Sequence, residues 1–126
     1  MLAENQLAIR RAAARLCTAF GWAALHEVPI PNGRRCDLLA LRQDGGFNCI
    51  EVKSGPRDFL TDSKWHDYRA FCDALYFAVD DVFPHELIPH DVGLIVACTS
   101  ALGEPAMIRE AVPHPLAPAR RRKLLH

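Results

Sequence analysis

The sequence predicts an α/β domain: a central mixed sheet, begun by an antiparallel meander and completed by later, parallel strands, with helices flanking it. Three observations carry this reading. Residues 4–20 repeat apolar groups at helical spacing, three strand-like runs then follow one another across glycine turns, and beyond Ser54 helical and apolar strand-like segments alternate, as they do in parallel sheets.

Taken in order, Leu7, Ala8, Ala12, Leu16 and Phe20 line one face of the first helix, the arginines fall mostly between them, and Gly21 is a natural stop. Residues 24–30 read as a strand, Asn32-Gly33 as a tight turn and residues 35–41 as a second strand. Asp44-Gly45-Gly46 marks the next turn, and residues 47–53 form the third strand. Ser54-Gly55-Pro56 breaks it. Asp58 or Asp62 then stands ready to cap a helix reaching about Cys72, with Leu60, Trp65, Tyr68 and Phe71 or Cys72 as its apolar face. Residues 75–79 suit a buried strand, residues 80–89 a connection with a helical turn near His85, residues 93–97 another strand and residues 106–110 an edge strand. The expected domain is residues 1–111. Residues 112–126 read as a basic C-terminal tail, punctuated by proline and shaped like a truncated helix.

Composition bounds the function classes. Half of the 126 residues are hydrophobic and 24% are charged, which fits one globular unit. No apolar run approaches the roughly 20 residues of a membrane helix. Glu4 and the interrupting Arg10, Arg11 and Arg15 do not suit a secretory signal, so a cytoplasmic protein without membrane partners is expected. The five cysteines (Cys17, Cys36, Cys49, Cys72, Cys98) are widely spaced and form no CxxC pair. They read as buried free thiols of a reducing compartment rather than as a zinc site or a disulfide scaffold. Net charge is zero but unevenly distributed: residues 1–57 carry eight Lys/Arg against five Asp/Glu, residues 58–110 three against ten, and residues 111–126 four bases and no acid. A basic face opposite an acidic one follows if these segments segregate, and basic faces bind phosphate.

The chemistry-bearing segments are Arg35-Cys36-Asp37-Leu38-Leu39-Ala40-Leu41 and Cys49-Ile50-Glu51-Val52-Lys53-Ser54, where charge interrupts apolar strands. Side chains alternate along a strand, so Glu51 and Lys53 share a face. Asp37 joins them only if paired residue numbers across the hairpin have an even sum. A three- or five-residue loop or a bulge gives that parity, whereas a plain two-residue Asp44-Gly45 loop turns Asp37 away. With the even register, Asp37 and Glu51 converge as hard oxygen ligands for Mg²⁺ or Mn²⁺, the Val52 carbonyl can add a third, and Lys53 is the catalytic cation for phosphodiester hydrolysis. The competing reading is a structural ion pair of Lys53 with Asp37 or Glu51.

The D…ExK arrangement on the second and third strands of a helix, three-strand, helix, strand order resembles the PD-(D/E)XK nuclease superfamily, with its restriction-endonuclease-like fold. Residues 35–39 and 49–54, then Asp58-Phe59, Asp62, Lys64-Trp65-His66-Asp67-Tyr68, Cys72-Asp73 and Tyr76-Phe77-Ala78-Val79, resemble the MmcB-like DNA repair family over residues 1–118. Cys36 stands where the superfamily's nominal proline precedes the aspartate. The resemblance implies a metal-dependent DNA endonuclease acting in DNA repair on structured or damaged DNA. The alternative it carries is a catalytically weak nuclease-fold module that binds DNA or a repair partner without cutting. It also implies a metal-facing glutamate on the first helix, for which Glu4 is the candidate beside a plain helix-terminus role. It leaves a homodimer or a repair-protein partner open. Arg34, Arg35, Lys64, His66 and Tyr68 are the residues expected to touch DNA phosphate or to support the site, with Arg10, Arg11 and Arg57 extending the basic track. Such contacts position a duplex without reading its sequence.

Overall fold

The computed structural model describes residues 2–62, 65–97 and 106–112. Six strands form one sheet in sequential order: β1 (Ala23–Pro29), β2 (Arg35–Leu41), β3 (Phe47–Val52), β4 (Ala74–Asp80), β5 (Gly93–Ala97) and β6 (Ala106–Arg109). The sheet is mixed as expected. β1, β2 and β3 make an antiparallel meander, β3, β4 and β5 run parallel, and β6 closes the far edge antiparallel to β5. The parallel strands are the most deeply buried, and β4 is accordingly almost unbroken apolar sequence.

One helix, α1 (Leu2–Ala19), covers one face. Its alanines favour the helix intrinsically. Ile9, Ala12, Ala13, Leu16 and Cys17, spaced by three and four, pack against Leu38, Ala40, Ile50, Tyr76, Ala78 and Ile95 of the sheet. Gly21 stops it: at φ 77 it closes a Schellman motif in which Gly21 N donates to Thr18 O (3.0 Å) and Trp22 N to Cys17 O (2.8 Å). Across the sheet, Phe59, Trp65, Phe83, Ile88 and Val92 pack over Leu39, Cys49, Leu75, Phe77 and Leu94. Phe59 meets Phe77 edge-on at 5.2 Å.

The single helix expected between Asp58 and Cys72 is two pieces: α2 (Pro56–Thr61) and a 3₁₀ segment, Trp65–Phe71. Asp62 and Trp65 would share a face of a continuous helix. They have different destinations, since Trp65 is buried on Phe59 and Phe77 while the Asp62 carboxylate turns to Lys53. The chain therefore leaves helical geometry at Asp62, which is extended at φ −87, ψ 104. Lys64, expected to share a helical face with Tyr68, lies outside the described residues, as do Cys98 and residues 113–126.

The hairpin between β2 and β3 decides where the carboxylates go. Leu41 pairs with Phe47 and Leu38 with Ile50, so the loop has five residues, 42–46, and the register is even. Gly45 takes φ 87, Arg42 N donates to Gly46 O (2.8 Å), and the Asp44 carboxylate accepts from Gly46 N (2.8 Å).

Candidate active site

The site lies where the sheet changes from antiparallel to parallel. The β2–β3 ladder ends at Leu38–Ile50, while β3 remains paired with β4 through Glu51–Phe77 and Val52–Ala78. The last residues of β3 thus have one edge that β2 backbone does not occupy. Asp37 fills the gap with its side chain: Val52 N donates to Asp37 Oδ2 (2.8 Å), and Asp37 N donates to Glu51 Oε1 (3.2 Å). The N–H and C=O of an extended residue point to the same side, so the Val52 carbonyl also faces Asp37. Opposite Asp37 on the other flank, Glu27 takes φ 50, a left-handed conformation uncommon for a residue with a side chain, and interrupts the β1–β2 ladder between His26 and Val28.

The two carboxyl groups are close enough for the charge of Asp37 to bear on Glu51. Glu51 is 5% exposed. Burial, and then the charge of Asp37, push its carboxyl up to about 8. Asp37 is raised as well, by burial, against the opposing effects of the Val52 N–H, Glu51, Lys53 and Arg10. At neutral pH the pair holds a proton that two solvated carboxylates would have lost. A dyad of hard oxygens with a backbone carbonyl beside it fits a small divalent cation such as Mg²⁺ or Mn²⁺, whose charge would take the place of that proton.

Lys53 is buried with its ammonium close enough to favour ionisation of both carboxylates, but its ion pair is with Asp62. Sequence reasoning gave Asp62 only a capping role; it stands nine residues beyond Lys53, and the turn into α2 brings it back. Ser54 and Asp58 fix that turn, with Ser54 N (3.0 Å) and Ser54 Oγ (3.3 Å) both donating to Asp58 Oδ2. From α1, Asn5 Nδ2 donates to Ser54 O (3.0 Å) and Asp80 Oδ2 (3.3 Å), tying the first helix to the ends of β3 and β4. Glu4 precedes Asn5 in that first turn; its side chain lies outside the described residues.

The remaining expected residues divide. Tyr68 reaches the site's margin: its hydroxyl donates to Arg35 O (3.0 Å), and burial together with the nearby Glu51 raises its pKa. Arg35 is exposed at the start of β2. Arg34 Nε is held by Asp67 Oδ2 at 3.1 Å. His66 is exposed and stacks on Trp65 at 3.6 Å, away from any hydrogen bond to the carboxylates among the described contacts. An open cleft of about 740 Å³, lined by Gln6, Ser54, Gly55, Pro56, Arg57, Asp58 and Thr61, begins immediately past Lys53 and does not include the carboxylates.

The cysteines are not scattered in space. Cys36 and Cys49 place their sulfurs 2.6 Å apart, the Cys49 thiol donates to Glu51 Oε1 (3.6 Å), and Cys72, in the same buried cluster, donates to Tyr68 O (3.3 Å). The sum of 36 and 49 is odd, so a regular register would have put these two side chains on opposite faces. Cys36 instead joins the cluster on the Cys49 side of the sheet, next to the break at Asp37.

No helix among the described residues is long and apolar enough to cross a membrane. Among curated proteins, none matches the sequence. A solved structure of a protein of unknown function from Silicibacter pomeroyi is similar to this chain, with a TM-score of 0.81 and 39% identity over 91% of this chain and 77% of that one. A family model for the DNA repair protein MmcB-like group matches residues 1–126. The chain belongs to the MmcB-like DNA repair protein family.

Proposed function

We propose that this protein is a metal-dependent deoxyribonuclease of the PD-(D/E)XK type that hydrolyses phosphodiester bonds of structured or damaged DNA. The observation that carries the reading is the convergence of Asp37 with the buried Glu51 at the open edge of β3, where Asp37 N donates to Glu51 Oε1 and Val52 N to Asp37 Oδ2. Asp37, Glu51 and the Val52 carbonyl would hold Mg²⁺ or Mn²⁺, with Glu4 as a further ligand from α1. A cation held there would supply positive charge to the phosphate and lower the pKa of the attacking water. Lys53, oriented by Asp62, adds a fixed positive charge beside the scissile phosphate as negative charge develops there. Arg57 in the adjoining cleft and Arg35 on the β2 edge offer phosphate contacts that position DNA without reading bases.

The test is a cleavage panel of single-stranded, duplex, nicked and branched DNA with Mg²⁺, Mn²⁺ or EDTA. The wild-type protein cuts at least one substrate with metal and none in EDTA. Glu51→Ala loses cutting while keeping its circular dichroism spectrum; undiminished activity in that variant would sink the mechanism. One observation favours a second reading, a module that binds DNA or a repair partner without cutting. Lys53, Arg34 and Arg10 are each neutralised by an acid of the chain itself, namely Asp62, Asp67 and Glu27. Retarded DNA on a gel with no product in either metal would support it.

A further inference from the structure

We propose that Cys36, Cys49 and Glu51 form a binding site for a thiophilic divalent cation such as Zn²⁺, distinct in its ligands from the all-oxygen site and sharing Glu51 with it. One ligand atom from each of the three residues lies within 4.8 Å of the other two, and all three residues are buried. The sequence spacing of 13 between the cysteines does not suggest such a site, and only the geometry at the end of the β2–β3 ladder reveals it. Cys72, just past the 3₁₀ segment and in the same buried cluster, stands outside that group, its thiol donating to Tyr68 O (3.3 Å). Two thiolates and a carboxylate, with a fourth position left to water, make a tetrahedral donor set of the kind that selects zinc over magnesium.

The exchange is a displacement of protons: the cation bonds to the two sulfurs and to a Glu51 oxygen, and the two thiol protons, with the proton the Asp37–Glu51 pair holds at neutral pH, leave to solvent. A tetrahedral ion with sulfur bonds of about 2.3 Å holds its sulfurs roughly 3.8 Å apart, so seating one opens the Cys36–Cys49 pair by about 1 Å. Rotation of two short side chains, Cys36 beyond the end of the β2–β3 ladder and Cys49 within β3, can supply that. On the nuclease reading, the same ion draws Glu51 away from Asp37, so Zn²⁺ inhibits where Mg²⁺ or Mn²⁺ supports cleavage. Inhibition rests on that reading, whereas binding does not.

The test uses Co²⁺ as a spectroscopic probe on the full chain, prepared under reducing conditions. Titration of the wild-type protein, and of Cys17→Ser as a control on the opposite face of the sheet, develops the sulfur-to-cobalt charge-transfer band and tetrahedral visible bands, which Zn²⁺ then bleaches. Cys36→Ser and Cys49→Ser lose the charge-transfer band. If a serine variant fails to fold, X-ray absorption at the zinc edge of the wild-type protein reads the ligands directly, with sulfur neighbours expected. Absence of sulfur scattering, a band that survives replacement of both cysteines, or a chain two thiols short and about 2 Da lighter, as a Cys36–Cys49 disulfide would be, overturns the proposal. A DNA substrate appears nowhere in this measurement, so a protein that does not cut can still bind the ion.

Discussion

Replacing Glu51 by glutamine should stabilise the metal-free protein, by an amount that grows with pH. The folded-state pKa of Glu51 is raised from an ordinary 4.5 to about 8. For a group raised in this way, the stability present below pH 4.5 is lost progressively as pH climbs through the folded pKa. Each pH unit in that window costs about 1.4 kcal/mol. The loss is then about 3 kcal/mol at pH 7 and about 5 kcal/mol above pH 8. Glutamine has no proton to lose. Its carbonyl oxygen can still accept from Asp37 N, and its amide can donate to the Asp37 carboxylate, as a protonated Glu51 would. Urea denaturation in EDTA at pH 5, 7 and 9 reads the effect. The two proteins should be nearly equal at pH 5 and separate steadily toward pH 9, with Glu51→Gln the more stable. Parallel stability curves across that range would show that Glu51 is not a buried acid strained by Asp37, and the argument for a cation at this pair would lose its basis.

The other expectations are narrower. Lys53→Met should lower the turnover of any cleaved substrate by on the order of a hundredfold while changing Mn²⁺ affinity much less, because an ammonium acts on the transition state and not as a ligand; equal losses in calorimetry and kinetics would contradict that role. Gly93→Ala should destabilise the fold by about 2 kcal/mol in thermal melts, because small-to-large changes in a packed core force shifts. The added carbon would come 2.2 Å from Tyr76 Cδ2 and 2.9 Å from the Ala111 amide nitrogen, and a wild-type melting temperature would mean that β5 and Tyr76 move apart easily.

How much was legible in the sequence follows from the range of the interactions involved. Strands β2 and β5 were readable to the residue because glycine turns and a run of alternating or continuous apolar residues mark them, and Gly21 announced the end of α1 through its own backbone freedom. The parity of the 42–46 loop was left open by the sequence, since Asp44-Gly45-Gly46 suits more than one turn, and packing of the two faces chose it. What could not be read was anything that depends on a departure from regular geometry. Asp62 reaches Lys53 because the helix stops there, and Cys36 reaches Cys49 although the even register would put them on opposite faces, beside a strand pair interrupted at Glu27. Periodicity assumes that an element continues, whereas both of these contacts exist because one does not.

Charge balance bears on whether this cluster is built for structure or for a cation. A structural ion pair would match one base with one acid, and Lys53 with Asp62 already does so. Asp37 and Glu51 are then left over, two acids in contact with each other, with Glu51 nearly inaccessible and the nearby Arg10 itself paired with Glu27. Burying an unneutralised carboxylate pair is costly, and a fold needing only a polar link at this point could use an amide pair. Two means of neutralisation remain to such a dyad. A retained proton halves its charge, which is the state that burial and the Asp37 charge favour by raising Glu51 to about 8, whereas a divalent cation cancels both charges and lets both groups ionise. The two compete for the same oxygens, so cation affinity at this site should rise steeply between pH 6 and 8, with a proton released for each ion bound. A salt bridge kept for stability would show no such linkage.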